Sequence, residues 1–447
     1  MAISDIVQVS IRIEDSAPKA VAFDTPLIVA KAPYVGARLY NVSPSGLAAM
    51  GTDGFAKYSR AYQIMTRLSG QTGGVGQAYI WSRTAQQTQT VDLTVDITKT
   101  AVGSVLAFDL AYQGVSSTIS VTVVTNTVND ILDLVEAAID ASTAGLAGIG
   151  VAPDNATATK LTLTADTAGD FFLIDLGGEQ ALLLEDVSVA GTDFALNLTN
   201  AKALLGESVY GLLIDGFSET EINLAAAFAL SNQMLFLGQS ADAEILESGQ
   251  TDDVASDLEG ASNTRAAVAF TRNMSSDWAA GLMGQMLAVD AGSATWAFKQ
   301  IEGAEADVLS TTHFTAARAK HALLYTTDRG EAHTWDGFAA SGRFFDITHG
   351  ADFLKADIET RIYQQFLNRP KIPFNATGLS IIENAIRGAL NTAVGSGLIE
   401  PDFDVVMPSL VGYSTVDKAA RILRGIQISA TLTGAIHLVI IDATLRV

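Results

Sequence analysis

The sequence predicts an α/β core with a mostly parallel sheet and a C-terminal α+β region, an inserted β-rich domain, and extended N- and C-terminal β-strand arms. Three observations carry this expectation. Strand-like and helix-like segments alternate from residue 204 to 289, residues 86–200 change abruptly in composition and charge, and apolar strand-like runs stand at both ends.

Residues 1–20 are expected to form the N-terminal arm. Ile3, Val7, Val9, Ile11 and Ile13 alternate with Ser4, Gln8, Ser10, Arg12 and Glu14, as in a strand with one apolar face. Over 21–85, the first part of the core, FDTPLIVA and QAYIWS read as strands and a helix is expected around Ala56 to Leu68. From Gln86 to about Asn200 the chain is rich in Thr, Val, Asp and Gly. Strand-like VDLTVDI, TISVTVVT, KLTLTA and FFLIDL are interrupted by one helix near Asn129 to Ala141, which reads as an inserted β-rich domain.

The core resumes over 201–350. Strand VYGLLID is followed by a helix from Glu219 to Leu230, strand MLFLGQ, a helix around Asp252 to Leu258, strand RAAVAF and a helix from Trp278 to Val289. Strands spaced by helices imply parallel pairing through right-handed crossovers. Residues 351–432 hold two further helices. Leu354, Ile358, Ile362 and Phe366 recur every fourth position behind Asp352, the expected cap, and Pro370 stops the run. Ile382, Ile386, Leu390 and Val394 do the same after Ser380 and Glu383, a capping-box spacing, with Gly395 or Gly397 as the stop. Ile426 to Leu432 and Ile436 to Leu445 read as strands separated by Thr433-Gly434, so 433–447 form the C-terminal arm.

Composition narrows the function. Hydrophobic residues make up 48% and charged residues 17%, so much of the surface is uncharged or buried against other molecules, which favours an assembly. The absence of cysteine excludes a disulfide framework, a thiolate metal site and a cysteine nucleophile. The start MAISDIVQVS lacks the basic and apolar regions of a signal peptide, and no run approaches the ~18 apolar residues of a membrane span. A soluble cytoplasmic product without a membrane partner is expected. The net charge of −22 argues against a nucleic-acid partner, because phosphate binding depends on clustered Lys and Arg. Charge is also uneven: +3 over 1–85, −13 over 86–200, −12 over 201–351 and neutral over 352–447. The acidic middle reads as a solvated face and the neutral end as the part that meets partners.

Catalytic signals are weak. His313, His321, His333, His349 and His437 have no HExxH spacing, and neither a G-x-S-x-G elbow nor a phosphate-binding loop occurs. Gly148-Ile149-Gly150 has Pro153 where a third glycine would stand. Trp335-Asp336-Gly337 reads as a turn anchored by its indole in preference to a carbohydrate-binding tip. The Thr-rich insertion reads as a solvated decoration in preference to a glycan-binding module, since its strands carry few aromatics. No catalytic residue, cofactor or metal is expected.

Three ordered segments carry a family resemblance: VDAGSATWAFKQIEGAEADVLS at 289–310, HTWDGFAASGRFFDITHGADFLKADIETRIYQQFL at 333–367, and KIPFNATGLSIIENAIRGALNTAVGSGLI at 371–399. The stretch from Trp278 to Ile399 resembles the C-terminal half of contractile phage tail sheath proteins. The resemblance implies a structural subunit that polymerises, as stacked six-fold rings or a six-start helix, around a tail tube and contracts to drive the tube through a host envelope. It implies arms that donate strands to neighbouring subunits, here Val7, Val9, Ile11 and Ile13 at one end and Leu438, Ile440 and Ile441 at the other. It also implies an outward insertion, and a C-terminal region lying near the tube, where Lys355, Arg361, Arg369, Lys371 and Arg387 are candidates to face it. Implied partners are further copies of the chain, the tail tube protein, and baseplate and tail terminator proteins. The sheath of a headless contractile particle is an alternative, and another self-assembling shell protein a more distant one.

Overall fold

Short apolar runs bounded by turn residues build the central sheet. The chain enters it with β1 (Pro26–Ala30) and β2 (Ala37–Asn41), passes through α1 (Pro44–Thr52) and α2 (Arg60–Ser69), and returns as β3 (Gln77–Ser82). The computed structural model describes residues 22–83, 86–142, 146, 148–153, 159–411 and 413–437. Next come β4 (Thr90–Val95), β5 (Val105–Tyr112), β6 (Val115–Thr122), α3 (Val128–Ala141), β7 (Ile149–Pro153), β8 (Leu161–Ala165), β9 (Phe172–Asp175) and β10 (Leu182–Asp186). The chain then continues through α4 (Phe194–Leu205), β11 (Gly211–Ile214), α5 (Glu219–Ser231), β12 (Leu235–Ser240), α6 (Val254–Gly260), β13 (Ala266–Phe270), α7 (Trp278–Leu287), α8 (Thr311–Ala319) and the hairpin β14 (Tyr325–Asp328) and β15 (Glu331–Thr334). The last elements are α9 (Phe345–Leu367), α10 (Ala376–Gly395), β16 (Ile399–Val406), α11 (Thr415–Ala420) and β17 (Gln427–Leu432).

The central sheet has the order β13-β12-β11-β1-β3-β2, with every pairing parallel except β2 against β3. Strand β1 reads PLIVA and is buried throughout, as a strand covered on both faces must be. Its Ile28 and Ala30 join a cluster with Ile64, Met65 and Leu68 of α2 and Trp278, Leu282 and Met283 of α7. Its Leu27 and Val29 join the opposite cluster with Leu198 of α4, Ile222 of α5 and Leu258 of α6.

Between β3 and α4 two smaller sheets, β10-β4-β8-β7 and β6-β5-β9, share a separate apolar cluster with α3. Strands β5, β7 and β10 lie outside the four strand-like runs expected here; VLAFDLAY alternates Leu106, Phe108 and Leu110 inward with Ala107 and Asp109 outward. The insertion boundary expected at residue 200 falls inside α4. Phe194, Leu198, Ala201 and Leu205 bury against the parallel sheet, so this helix packs with the core although the compositional bias runs into it.

Buried ion pairs and hydrogen bonds hold the core together where the insertion leaves it and tie the insertion to it. Arg83, just after β3, is fully buried and pairs with Asp215 at 2.5 Å and with Glu221. At the other seam, Met274 donates its N–H to Ile174 O at 3.0 Å, Asn273 Nδ2 donates to Asp175 at 2.8 Å, and Arg272 N–H donates to the Asp307 carboxylate at 2.7 Å. The second Asp307 oxygen is buried and has no hydrogen-bond partner among the described residues. Burial pushes Asp307 up to about 7.

Candidate intersubunit surface

The C-terminal region is built on α9. The fourfold apolar spacing from Leu354 onward describes only its second half, because the helix starts at Phe345. Its first turns are sunk into the core: Phe345 packs on Trp296 with ring centroids 4.9 Å apart, and His349 stacks on Tyr210 at 5.2 Å. Burial lowers His349 to about 4 and keeps it neutral. Asp352 is therefore a mid-helix residue and no cap. Its carboxylate accepts from Arg265 at 2.5 and 2.8 Å and from the Tyr210 hydroxyl at 2.7 Å, bolting α9 to the sheet. The expected capping box is corrected likewise: Asn375 caps α10, accepting from Gly378 N–H, while Glu383 pairs with Arg387 at 2.8 Å.

Beyond these turns, Ile358 and Ile362 of α9 meet Ile382, Ile386 and Leu390 of α10 in an apolar cluster of their own. Leu398, at the root of β16, belongs to it and reaches back toward the core. A Cβ at Gly292 or at Gly350 would stand 2.3 or 2.2 Å from its Cδ1, so both glycines are required for this close approach.

Upon this cluster lies a two-stranded antiparallel ribbon, β16 paired with β17. All six residues of β17 are exposed, including Ile428 and Leu432, and among the described residues its second edge pairs with no strand. The Ile426 to Leu432 run forms β17 as expected, whereas β16 is unexpected, because Pro401 and three carboxylates disguise a strand. From the ribbon Thr433 donates its N–H to Leu398 O at 3.0 Å, and His437 Nε2 lies 2.9 Å from Thr295 Oγ1, against the rings of Phe298 and Phe344. These contacts set the path of the chain as far as His437.

Val7, Val9, Ile11, Ile13, Leu438, Ile440 and Ile441 lie outside the described residues. The five candidate cations differ in their engagement. Arg361 is held by Asp357 at 2.8 Å and donates to Thr392 at 2.9 Å. Arg387 is held by Glu383 and Lys355 donates to Gln233 at 3.2 Å. Arg369 and Lys371, in the exposed connection between α9 and α10, form no ion pair among the described residues. Arg369, which donates to Gln365, and Lys371 stand two positions apart on this connection, whereas Arg361 and Arg387 are each held by a carboxylate of their own helix and Arg361 also bridges to α10.

Other singled-out residues have structural partners. Trp335 donates its indole N–H to Thr326 at 2.7 Å, and Asp336, at positive φ, pairs with Arg318 at 2.5 Å. Gly148 to Gly150 lead into β7 and no helix. Among the described residues no His, Asp and Glu group could hold a metal ion, and no helix is long and apolar enough to cross a membrane.

Residues 345–404, which are α9, α10 and most of β16, match the family described as E217 tail sheath protein gp31-like, C-terminal domain. Over its whole length the chain resembles a chain of the extracellular contractile injection system PVC sheath complex in its contracted state, at 9% identity, 98% coverage of both chains and a TM-score of 0.51. The chain has the fold of a contractile tail sheath protein. A chain of the anti-feeding prophage baseplate shares this sheath fold at 10% identity, covering 99% of this chain and 100% of that one, with a TM-score of 0.54. The sheath tail protein of Desulfitobacterium hafniense is 11% identical over 89% of this chain and 93% of its own, with a TM-score of 0.47. No curated protein matches by sequence.

Proposed function

We propose that this chain is the sheath subunit of a contractile tail, polymerising in a six-fold helical array around a tail tube and shortening to drive the tube through a host envelope. The edge of β17 that pairs with no strand among the described residues carries the reading. An exposed ribbon edge presents unpaired N–H and C=O groups that invite another strand. The terminal segments carrying Val7 to Ile13 and Leu438 to Ile441 have the apolar content to supply one from a neighbouring copy. Each added main-chain hydrogen bond contributes about 1 kcal/mol net, so a ten-residue arm supplies several kcal/mol. Donation of arms from one copy to the next is head-to-tail, which generates open helical arrays and not closed dimers.

Shortening requires two packings of the same subunits with a barrier between them. The bolted α9 lever lets the core turn as a rigid body, while the segments beyond Thr433-Gly434 keep neighbours tied. Arg369 and Lys371 supply positive charge for the tube protein, and baseplate and terminator proteins cap the array in the virion, which assembles in the host cytoplasm. The same subunit would serve a headless injection particle, a reading favoured by the fold shared with the PVC sheath complex. Negative-stain microscopy of the purified protein tests the proposal: hollow cylinders of uniform width are expected, and flat lattices or closed shells would overturn it. Particles enriched from producing cells, with or without a capsid, separate the phage reading from the headless one.

A further inference from the structure

Helices α4 and α5 pack side by side on one face of the central sheet, with Leu198 and Ala201 of one and Ile222 and Ala226 of the other in a single buried cluster. Their opposite sides point away from that cluster. On α4 this outward side consists of Ala195, Leu196, Thr199, Asn200, Ala203 and Leu204, all exposed, with Leu196 and Leu204 at 56% and 65%. On α5 it continues with Thr220, Leu224, Ala227 and Leu230, the two leucines at 39% and 41%. No charged residue stands on it; Asp193, Lys202, Glu207 and Glu219 lie at its margins.

In a chain of net charge −22 this is anomalous. Isolated exposed leucines are ordinary, but four on adjoining helices with a polar rim have the anatomy of an interface core. Charge selects the occupant. Two copies of so acidic a chain repel over most of their surfaces, and a neutral apolar face is where they can close without burying like charges against each other. Resting on the sheath reading above, we propose that the outward face of α4 and α5 is a contact surface covered by a neighbouring copy of this chain in the assembled particle. The contact is distinct from strand exchange at the β16–β17 ribbon and joins core to neighbouring core.

The absence of cysteine makes the test direct. A Leu204→Cys variant is labelled with a maleimide as free subunit and as assembled cylinders, with Ser116→Cys on the exposed β6 as a reference thiol. At least tenfold slower labelling at position 204 on assembly, beyond any slowing at position 116, is the expected result. Cylinders in which position 204 labels as fast as in the free subunit would overturn this contact while leaving the sheath reading intact. Absence of cylinders from the unaltered chain would remove both. Protection already present in the free subunit and lost on deleting residues 1–14 would assign the face to the chain's own N-terminal segment and overturn the proposal. As an independent arm, Leu196→Asp with Leu204→Asp and, separately, Leu196→Lys with Leu204→Lys should each raise the concentration needed for polymerisation at least tenfold without lowering the melting temperature. Unchanged polymerisation in both would refute an apolar contact, and failure of the Asp variant alone would reduce the effect to charge repulsion and refute it as well.

Discussion

Replacing Asp352 distinguishes two roles for one carboxylate. If it capped a helix, Asp352→Asn would be nearly neutral, because Asn caps as well as Asp, and Asp352→Ala would cost about 1 kcal/mol. In the structure it accepts three hydrogen bonds across the joint between α9 and the sheet, two from Arg265 and one from Tyr210. Arg265 and Asp352 are 13% and 15% exposed, so either substitution leaves a mostly buried guanidinium without its counter-charge. Breaking a buried pair from one side costs ~3–5 kcal/mol, and the residual exposure places Asp352→Ala near the lower end, about 3 kcal/mol. Asp352→Asn keeps an acceptor for Tyr210 but loses the charge, and about 2 kcal/mol is expected, within the range for hydrogen bonds to charged groups. Urea unfolding followed by tryptophan fluorescence measures both, and a double-mutant cycle with Arg265→Met isolates the pair. A loss below about 0.5 kcal/mol for Asp352→Asn would refute the joint and restore the cap.

Two further outcomes can be checked independently. Val9→Pro or Ile440→Pro should leave a folded subunit by circular dichroism but abolish cylinders, since proline deletes a ladder donor; normal cylinders would mean that these segments donate no strand. The fold should lose stability as pH rises, because burial raises Asp307 and Asp242 to about 7 each in the folded chain. A raised folded value stabilises fully below the ordinary carboxylate range near ~4 and is lost as pH climbs through about 7. The melting temperature should therefore fall between about pH 4 and about pH 7 and level off above that, and Asp307→Asn should flatten the fall; an equally steep profile in the variant would exclude Asp307 as its source.

The parallel core was legible because strands and helices of strong period announce themselves locally: Glu219–Ser231, Leu235–Ser240 and Ala266–Phe270 each lie within a residue or two of where the pattern placed them. Helix α9 was half legible. Its solvent-facing second half shows an apolar stripe, whereas the first, buried on several sides by Trp296, Tyr210 and Leu398, shows none. Strand β16 was hidden by its exposed carboxylates, and the outward neutrality of α4 and α5 has no sequence signal until the buried side of each helix is known.

By itself the sequence determined the order of segments, the three family-like motifs and the charge asymmetry, all properties of neighbours along the chain. Only the tertiary structure decided that Asp352 joins two layers, that Arg361 and Arg387 are held by Asp357 and Glu383 while Arg369 and Lys371 form no ion pair among the described residues, and that among those residues β17 meets β16 on one edge alone. The physical reason is common to all three. Whether a polar group is paired or available depends on what lies within about 3 Å of it, and those neighbours come from residues far away in sequence.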